Sequence, residues 1–198
     1  ELLEDELPPG SDGLQTVGHI RQAAMRASDL TRQLLAYAGK GCFVVEPLDL
    51  VELVGGMLAL VRSAVPRTIA FEFRGTDGPA PIVEADATQL RQVVMNLVTN
   101  ASEAIGARPG QVTVRVAFES RPRRALSLLH VAPEMPASGP YALIEVTDDG
   151  VGLDPLALSR IFDPFYSTKF TGRGLGLAAL LGIVRAHRGA LSVITAPG

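Results

Sequence analysis

Apolar residues recur at helical spacing in some stretches of the chain and alternate with polar ones in others. Between residues 14 and 38, Leu14, Val17, Ala24, Ala27, Thr31, Leu34 and Ala38 fall close to a heptad, which predicts a long helix closed by Gly39-Lys40-Gly41. A single helix cannot bury such a seam alone, so it calls for a partner, either an upstream helix or a second chain. Between 89 and 105, Val93, Val94, Leu97, Val98, Ala101 and Ile105 form one broad apolar stripe, the mark of an amphipathic helix. Asp86 is placed to cap it, with Gln89 completing a capping box, and the glycines at 106 and 110 close it. Alternation predicts strands at 67–73, at 111–119 through Val112, Val114, Val116 and Phe118, and at 141–148. Shorter segments predict strands at 42–46, 81–85 and 190–195. They also predict helices at 49–64 (Asp49 as N-cap), 154–162 and 175–187. The Pro-rich stretch 121–139 reads as a long hairpin loop, with Arg121, Arg123 and Arg124 as a solvated basic face. Strands bunched with helices, without strict βαβ alternation, predict an α+β fold with helices layered on one face of a mixed sheet.

Composition narrows the class. At 198 residues the chain is long enough for one domain plus an appendage. With 47% hydrophobic and 20% charged residues it reads as a soluble globular protein. A net charge of −3 offers no electrostatic case for binding nucleic acid or an anionic membrane. Cys42 is the one cysteine, which excludes an intrachain disulfide and suits a reducing cytoplasm. No apolar run has the length of a membrane span and no signal peptide is visible. The chain begins at Glu1 without a methionine and reads as a piece of something longer, with residues 1–7 as the end of a helix cut upstream.

Candidate chemistry gathers at a few points. Asn96, Asn100 and Glu103 stand at i, i+4 and i+7 of the central helix and share a stripe of their own. Two carboxamides and a carboxylate supply oxygen ligands for a hard cation such as Mg²⁺, with Glu103 available as a general base; a polar solvent-facing stripe would look the same. The strand at 141–148 runs into Asp148-Asp149-Gly150-Val151-Gly152. Parity turns Asp148 toward the core side with Ile144 and Val146, and Asp149 away. A carboxylate there calls for a donor, which an adenine amine supplies, and Gly150 and Gly152 allow backbone to approach a flat base. An Asp-Gly turn is the alternative. Gly172-Arg173-Gly174-Leu175-Gly176-Leu177 opens the last helix, where free N–H groups and the helix dipole favour anions. It is neither a P-loop nor the dinucleotide glycine motif, because position 177 is leucine. Upstream, Phe162-Asp163-Pro164-Phe165 gives an aromatic anchor from which a lid over a triphosphate could hinge. Lys169 and Arg173 are placed to meet phosphate oxygens, or are surface cations.

Taken in order, these elements resemble the ATP-binding catalytic domain of sensor histidine kinases, within the wider group that includes gyrase B, Hsp90 and MutL ATPases. Asn96-Leu97-Val98-Thr99-Asn100-Ala101 resembles the N box, 148–152 the first glycine box, 162–165 the F box and 172–176 the second glycine box. The likeness spans roughly residues 46–198. It implies a two-layer α/β sandwich, the Bergerat-type ATP-binding fold, preceded by a long N-terminal helix. It also implies a division into residues 1–40, the second helix of a dimerisation and phosphoacceptor hairpin, and residues 41–198, a catalytic domain lacking its final strand. By resemblance Asn100 would ligate Mg²⁺, Asn96 would support the phosphates and share the catalytic role with Glu103, and Asp148 would bind adenine N6. Gly150, Gly152, Phe165, Lys169, Gly172, Arg173, Gly174, Leu175, Gly176 and Leu177 would line the ATP.

The implied partners are ATP, a phosphoacceptor histidine helix of the parent or its dimer mate, and a response-regulator receiver domain, in a cytoplasmic setting and a homodimeric parent. His19, His130 and His187 are not expected to be the acceptor, because the acceptor histidine belongs to a preceding helix. His187 is expected at a helix C-terminus, where a cation is favourable. The piece should bind nucleotide without phosphorylating itself. An ATP hydrolase that drives conformational closure, or a non-catalytic nucleotide-binding scaffold, are the other readings.

Overall fold

The computed structural model describes residues 8, 11–37, 44–76, 78–121, 139–167 and 174–196. A 26-residue helix α1 (Asp12–Tyr37) leads, with the Ser11 hydroxyl accepting the Leu14 N–H at its start. Then follow β1 (Glu46–Asp49), α2 (Leu50–Gly56), α3 (Leu58–Ala64), β2 (Ile69–Arg74), β3 (Ile82–Ala85), α4 (Ala87–Ile105), β4 (Gly110–Arg121), β5 (Gly139–Asp148), α5 (Pro155–Arg160) and α6 (Gly176–Ala186).

The strands form a mixed sheet of order β2-β4-β5, parallel between β2 and β4 and antiparallel between β4 and β5, and a separate antiparallel ribbon of β1 and β3. The alternation read in β4 is real: Val112, Val114 and Val116 are fully buried on one face. They meet Val94, Val98, Ala101 and Ile105 of α4, with Leu50, Val54 and Val61 from α2 and α3 closing the core. The other face of the sheet is polar. Arg74 makes a two-pronged bond to Glu72 at 2.8 and 2.9 Å, and Arg115 reaches Glu145 at 2.9 Å. The result is the expected α+β sandwich, with the described core helices on one side of the sheet. α1 rests against α6.

Several expectations need correction. The helix expected over 49–64 breaks at Met57, just after Gly55-Gly56, where two residues of poor helix propensity weaken the turn. The first strand lies at 46–49 rather than 42–46; residues 42 and 43 are outside the described residues. Leu48 pairs with Val83 and both are half-buried, so burial sets this register, and Pro47 is tolerated because a two-stranded ribbon has open edges. Phe118 continues β4 but is 49% exposed, since the strand outruns the helices. The strand expected over 190–195 reduces to a single bridged residue, Leu191. That segment is held instead by a side chain: the Thr195 hydroxyl accepts the Leu153 N–H at 2.9 Å. The loop expected over 121–139 lies outside the described residues except at its ends, where β4 and β5 extend into it to residues 121 and 139.

Candidate functional site

α4 is built by its own sequence. Asp86 caps it, accepting the Thr88 N–H at 2.8 Å and the Gln89 N–H at 3.1 Å on one carboxylate oxygen. The other oxygen accepts the Val44 N–H at 3.0 Å. The side chain is buried, which by itself raises the carboxyl pKa, but the bonds from Val44, Gln89 and Thr88 outweigh burial and hold it below the usual range. The capping box is only half formed. The Asp86 N–H goes to His187 Nε2 at 3.0 Å, and Gln89 Oε1 is left buried without a partner among the described residues. His187 Nδ1 faces the Ile183 carbonyl at 2.8 Å. An Nε2 that accepts carries no proton, so in this geometry the ring is neutral rather than the cation anticipated at that helix end.

Further along α4, Asn96 donates from Nδ2 to the Gly176 carbonyl at 3.0 Å, and its Oδ1 accepts from Gln92 at 2.9 Å. Gly176 is the first residue of α6, and Leu175 before it makes no side-chain cap bond among the described residues, as suits a helix start that keeps N–H groups for a ligand. Between the two helices, Val93, Leu180 and Ile183 are buried with Leu97, Leu177 and Val184 around them. Asn100, one turn beyond Asn96, is half-buried, and its Nδ2 has no partner among the described residues. Leaving such a group unsatisfied costs about 1–3 kcal/mol. Glu103 is exposed at the end of the same stripe.

Asp148 stands opposite Val112, on the core-facing side as parity requires, yet it is exposed at the last position of β5. Its Oδ1 accepts the Gly150 N–H at 2.8 Å, so the Asp-Gly turn is also present. Asp149 turns the other way and accepts the Gln111 N–H at 2.8 Å, while Arg108 donates to its carbonyl. The Val151 N–H reaches the Ala104 carbonyl at 3.2 Å, tying this turn to the end of α4. The close approach that the glycines permit is to the chain itself: a Cβ on Gly150 would strike Ala104, and one on Gly152, at φ 67°, would overlap the Ala196 carbonyl.

After α5, the Phe165 N–H donates to the Gly174 carbonyl at 2.9 Å. Phe165 sits at φ 66° and is 69% exposed, so it is held here through its backbone; Phe162 is half-buried. Gly174, at φ 64°, lies against the Phe165 and Tyr166 backbone where no side chain fits. Arg160 stacks 4.4 Å over the Tyr166 ring. Leu175 is buried and Leu177 half-buried. Lys169, Gly172 and Arg173 lie outside the described residues.

The structure therefore joins the α4 stripe to the start of α6 and brings the Asp148 turn against the end of α4. The described residues do not wrap these groups in one closed cavity. The hollow that touches Asp148, about 280 Å³, opens on the polar face of the sheet between Arg74, Gln111, Thr113 and Thr147. The donor set suits a nucleotide: carboxamides, helix N–H groups and a carboxylate beside glycine backbone match phosphate oxygens and a base amine. Among the described residues no group of three or more His, Cys, Asp or Glu forms a metal cage. Sequence reasoning missed the part played by His187, whose bond to Asp86 spans 101 positions and leaves no local signal, and missed Gln92, whose i, i+4 spacing to Asn96 was there to be read.

A family model described as histidine kinase-, DNA gyrase B-, and HSP90-like ATPase matches residues 85–198. The chain belongs to this ATPase family. Among curated proteins it is 34% identical to the sensor kinase CckA of Brucella abortus (strain 2308) over 169 residues, 84% of this chain and 17% of that protein. It is 30% identical to the sensor histidine kinase ZraS of Escherichia coli (strain K12) over 199 residues, 100% of this chain and 38% of that protein. Among solved structures it matches the mycobacterial sensor histidine kinase MprB with a TM-score of 0.54 and 28% identity, covering 73% of this chain and 80% of that one. The chain is thus an ATPase-family domain similar in sequence to sensor kinases, and it spans well under half the length of those two curated relatives. Among the described residues, no helix is long and apolar enough to cross a membrane.

Proposed function

We propose that the site binds Mg·ATP, with the phosphates over the start of α6 and the adenine at Asp148, and that in the longer protein it donates the γ-phosphoryl to a histidine. The single observation that carries this reading is the Asn96–Gly176 bond, which sets a carboxamide helix beside an uncapped helix N-terminus. Free N–H groups and the dipole of α6 stabilise phosphate charge. Asn96, already committed to Gly176, orients that terminus. Asn100 would hold Mg²⁺ through its amide Oδ1, since the hard cation takes oxygen ligands. Bound Mg²⁺ would neutralise phosphoryl charge, and positioning does most of the rest in phosphoryl transfer. Asp148 has an open carboxylate oxygen for an exocyclic amine, which favours adenine over guanine. Glu103, exposed on the same stripe, is placed as a base toward the acceptor. Lys169, Gly172 and Arg173 complete the phosphate side by motif. Residues 1–40 would form the second helix of the phosphoacceptor hairpin, residues 41–198 the catalytic domain, and the phosphoryl group would pass on to a receiver aspartate.

Calorimetric titration with a non-hydrolysable ATP analogue, with and without Mg²⁺, tests the first half. Mg²⁺-dependent binding with preference for adenine nucleotides is the expected result, and equal binding of guanine nucleotides would remove the role given to Asp148. Incubation with ATP and a supplied histidine-bearing hairpin tests the second half. Phosphohistidine on the hairpin is expected; steady hydrolysis of ATP without transfer would favour the hydrolase reading instead.

A further inference from the structure

α4 and α6 run antiparallel and are bonded at two points. One is Asn96 to Gly176; the other is Asp86 to His187. At 1.5 Å per residue, Asp86 to Asn96 is about 15 Å along α4 and Gly176 to His187 about 16 Å along α6, so both bonds form without tilting either helix. The layer between them is apolar, with Val93, Leu180 and Ile183 at its centre. Apolar contact is non-directional and tolerates sliding, so the two polar bonds fix the register.

The Asp86 N–H also has a local alternative. Gln89 stands at the capping-box position and its Oε1 is buried without a partner among the described residues, while the N–H goes to His187 instead. The tertiary bond has displaced the local one. If His187 is lost, Gln89 can take the N–H and keep α4 capped, but α6 is then released at that end.

We propose that His187 is a positioning residue for nucleotide binding. As a neutral, Nδ1-protonated imidazole it holds the Asp86 N–H, and so sets the register of α6 against α4 and the seat of Gly176 beside Asn96. The Ile183 carbonyl at 2.8 Å from Nδ1 fixes the tautomer this requires. The inference rests on the nucleotide reading of the site.

The test compares His187→Leu, His187→Gln and wild type in titrations with a non-hydrolysable ATP analogue and Mg²⁺, each checked by circular dichroism and thermal unfolding. Leucine keeps bulk and removes the acceptor; glutamine can return an acceptor near the Nε2 position. Affinity is expected to fall about tenfold in His187→Leu, the scale of one lost buried hydrogen bond, and to return to within about threefold in His187→Gln. The melting temperature of His187→Leu should fall little, because Gln89 substitutes, and His187→Leu combined with Gln89→Leu should melt well below either single variant. Wild-type affinity in a folded His187→Leu, or His187→Gln as weak as leucine, would overturn the proposal. A second readout does not depend on nucleotide: in ¹⁵N-labelled wild type, a scalar coupling across the hydrogen bond should join the Asp86 amide nitrogen to His187 Nε2. An Nε2-protonated ring would overturn the proposal even if the leucine variant fails to fold. Absence of nucleotide binding in wild type with that coupling present would instead sink the functional reading alone.

Discussion

The Asn96 amide donates to the Gly176 carbonyl across 3.0 Å, joining residues 80 positions apart. Asn96→Ala removes the donor and leaves a part-buried carbonyl without it. Stability should fall by about 1 kcal/mol, read by urea denaturation. Affinity for an ATP analogue should fall further than that, because the start of α6 loses its orientation. An unaltered titration would detach Gly176 from the phosphate site.

Asn100 should behave in the opposite way. Its Nδ2 is buried without a partner among the described residues, so Asn100→Ala removes an unsatisfied group. The nucleotide-free protein is expected to unfold at the same urea concentration as wild type or a higher one. The enhancement of nucleotide binding by Mg²⁺ should vanish. A clear loss of stability without nucleotide would mean that the amide does structural service.

Asp148 is exposed and accepts from Gly150. Asp148→Asn should leave stability within about 0.5 kcal/mol, as for surface changes generally. It should weaken adenine nucleotide binding by about tenfold or more, the scale of a hydrogen bond to a charged group, and reduce the preference over guanine. Calorimetry with both nucleotides checks both halves.

Asp86 gives a pH dependence. Its carboxyl is held below the usual range in the fold, so the unfolded chain binds that proton more tightly. The stabilisation is complete above the ordinary aspartate range and disappears as pH falls through the depressed folded value. Asp86→Ala should cost about 1–2 kcal/mol at neutral pH, as for a lost N-cap. The gap between wild type and variant should narrow in acid; a gap that widened there would reverse the sign of the shift.

Gly152 admits no side chain, because a Cβ would overlap the Ala196 carbonyl and its φ is 67°. Gly152→Ala should destabilise by roughly 1–3 kcal/mol, as forced strain of this kind does. Amide hydrogen exchange at Leu153, whose N–H is held by Thr195, should rise with it.

The legible parts of the fold are those that a short window can hold. The stripe of α4 and the alternation of Val112, Val114 and Val116 follow from burial on one face, and both stood in the sequence. So did the opposite facing of Asp148 and Asp149. The break at Met57 was less visible because the stripe continues across it, and only Gly55-Gly56 hinted at it. The strand expected at 190–195 failed because β propensity cannot supply a neighbouring strand, and Leu191 alone is bridged. At the site, the boxes located Asn96 and Gly176 separately but not their bond. Asp86 was legible as a cap; that its own N–H serves a histidine 101 positions away was not, since Gln89 satisfied every local rule for the role.

The parallel pairing of β2 with β4 has a consequence for synthesis. Such a pair cannot be closed by a hairpin, and its crossover carries β3 and α4. On a ribosome, α4 emerges before β4 exists for its apolar stripe to lie against. Gly176 follows Asn96 by 80 residues, which at roughly 5–20 residues per second is about 4–16 seconds of translation. With the phosphates seated as proposed at the start of α6, ATP cannot template the folding steps of α4, because that end of its seat is made 80 residues later. Through that interval the stripe of α4 is a natural client for a chaperone, and nucleotide can stabilise only the completed domain.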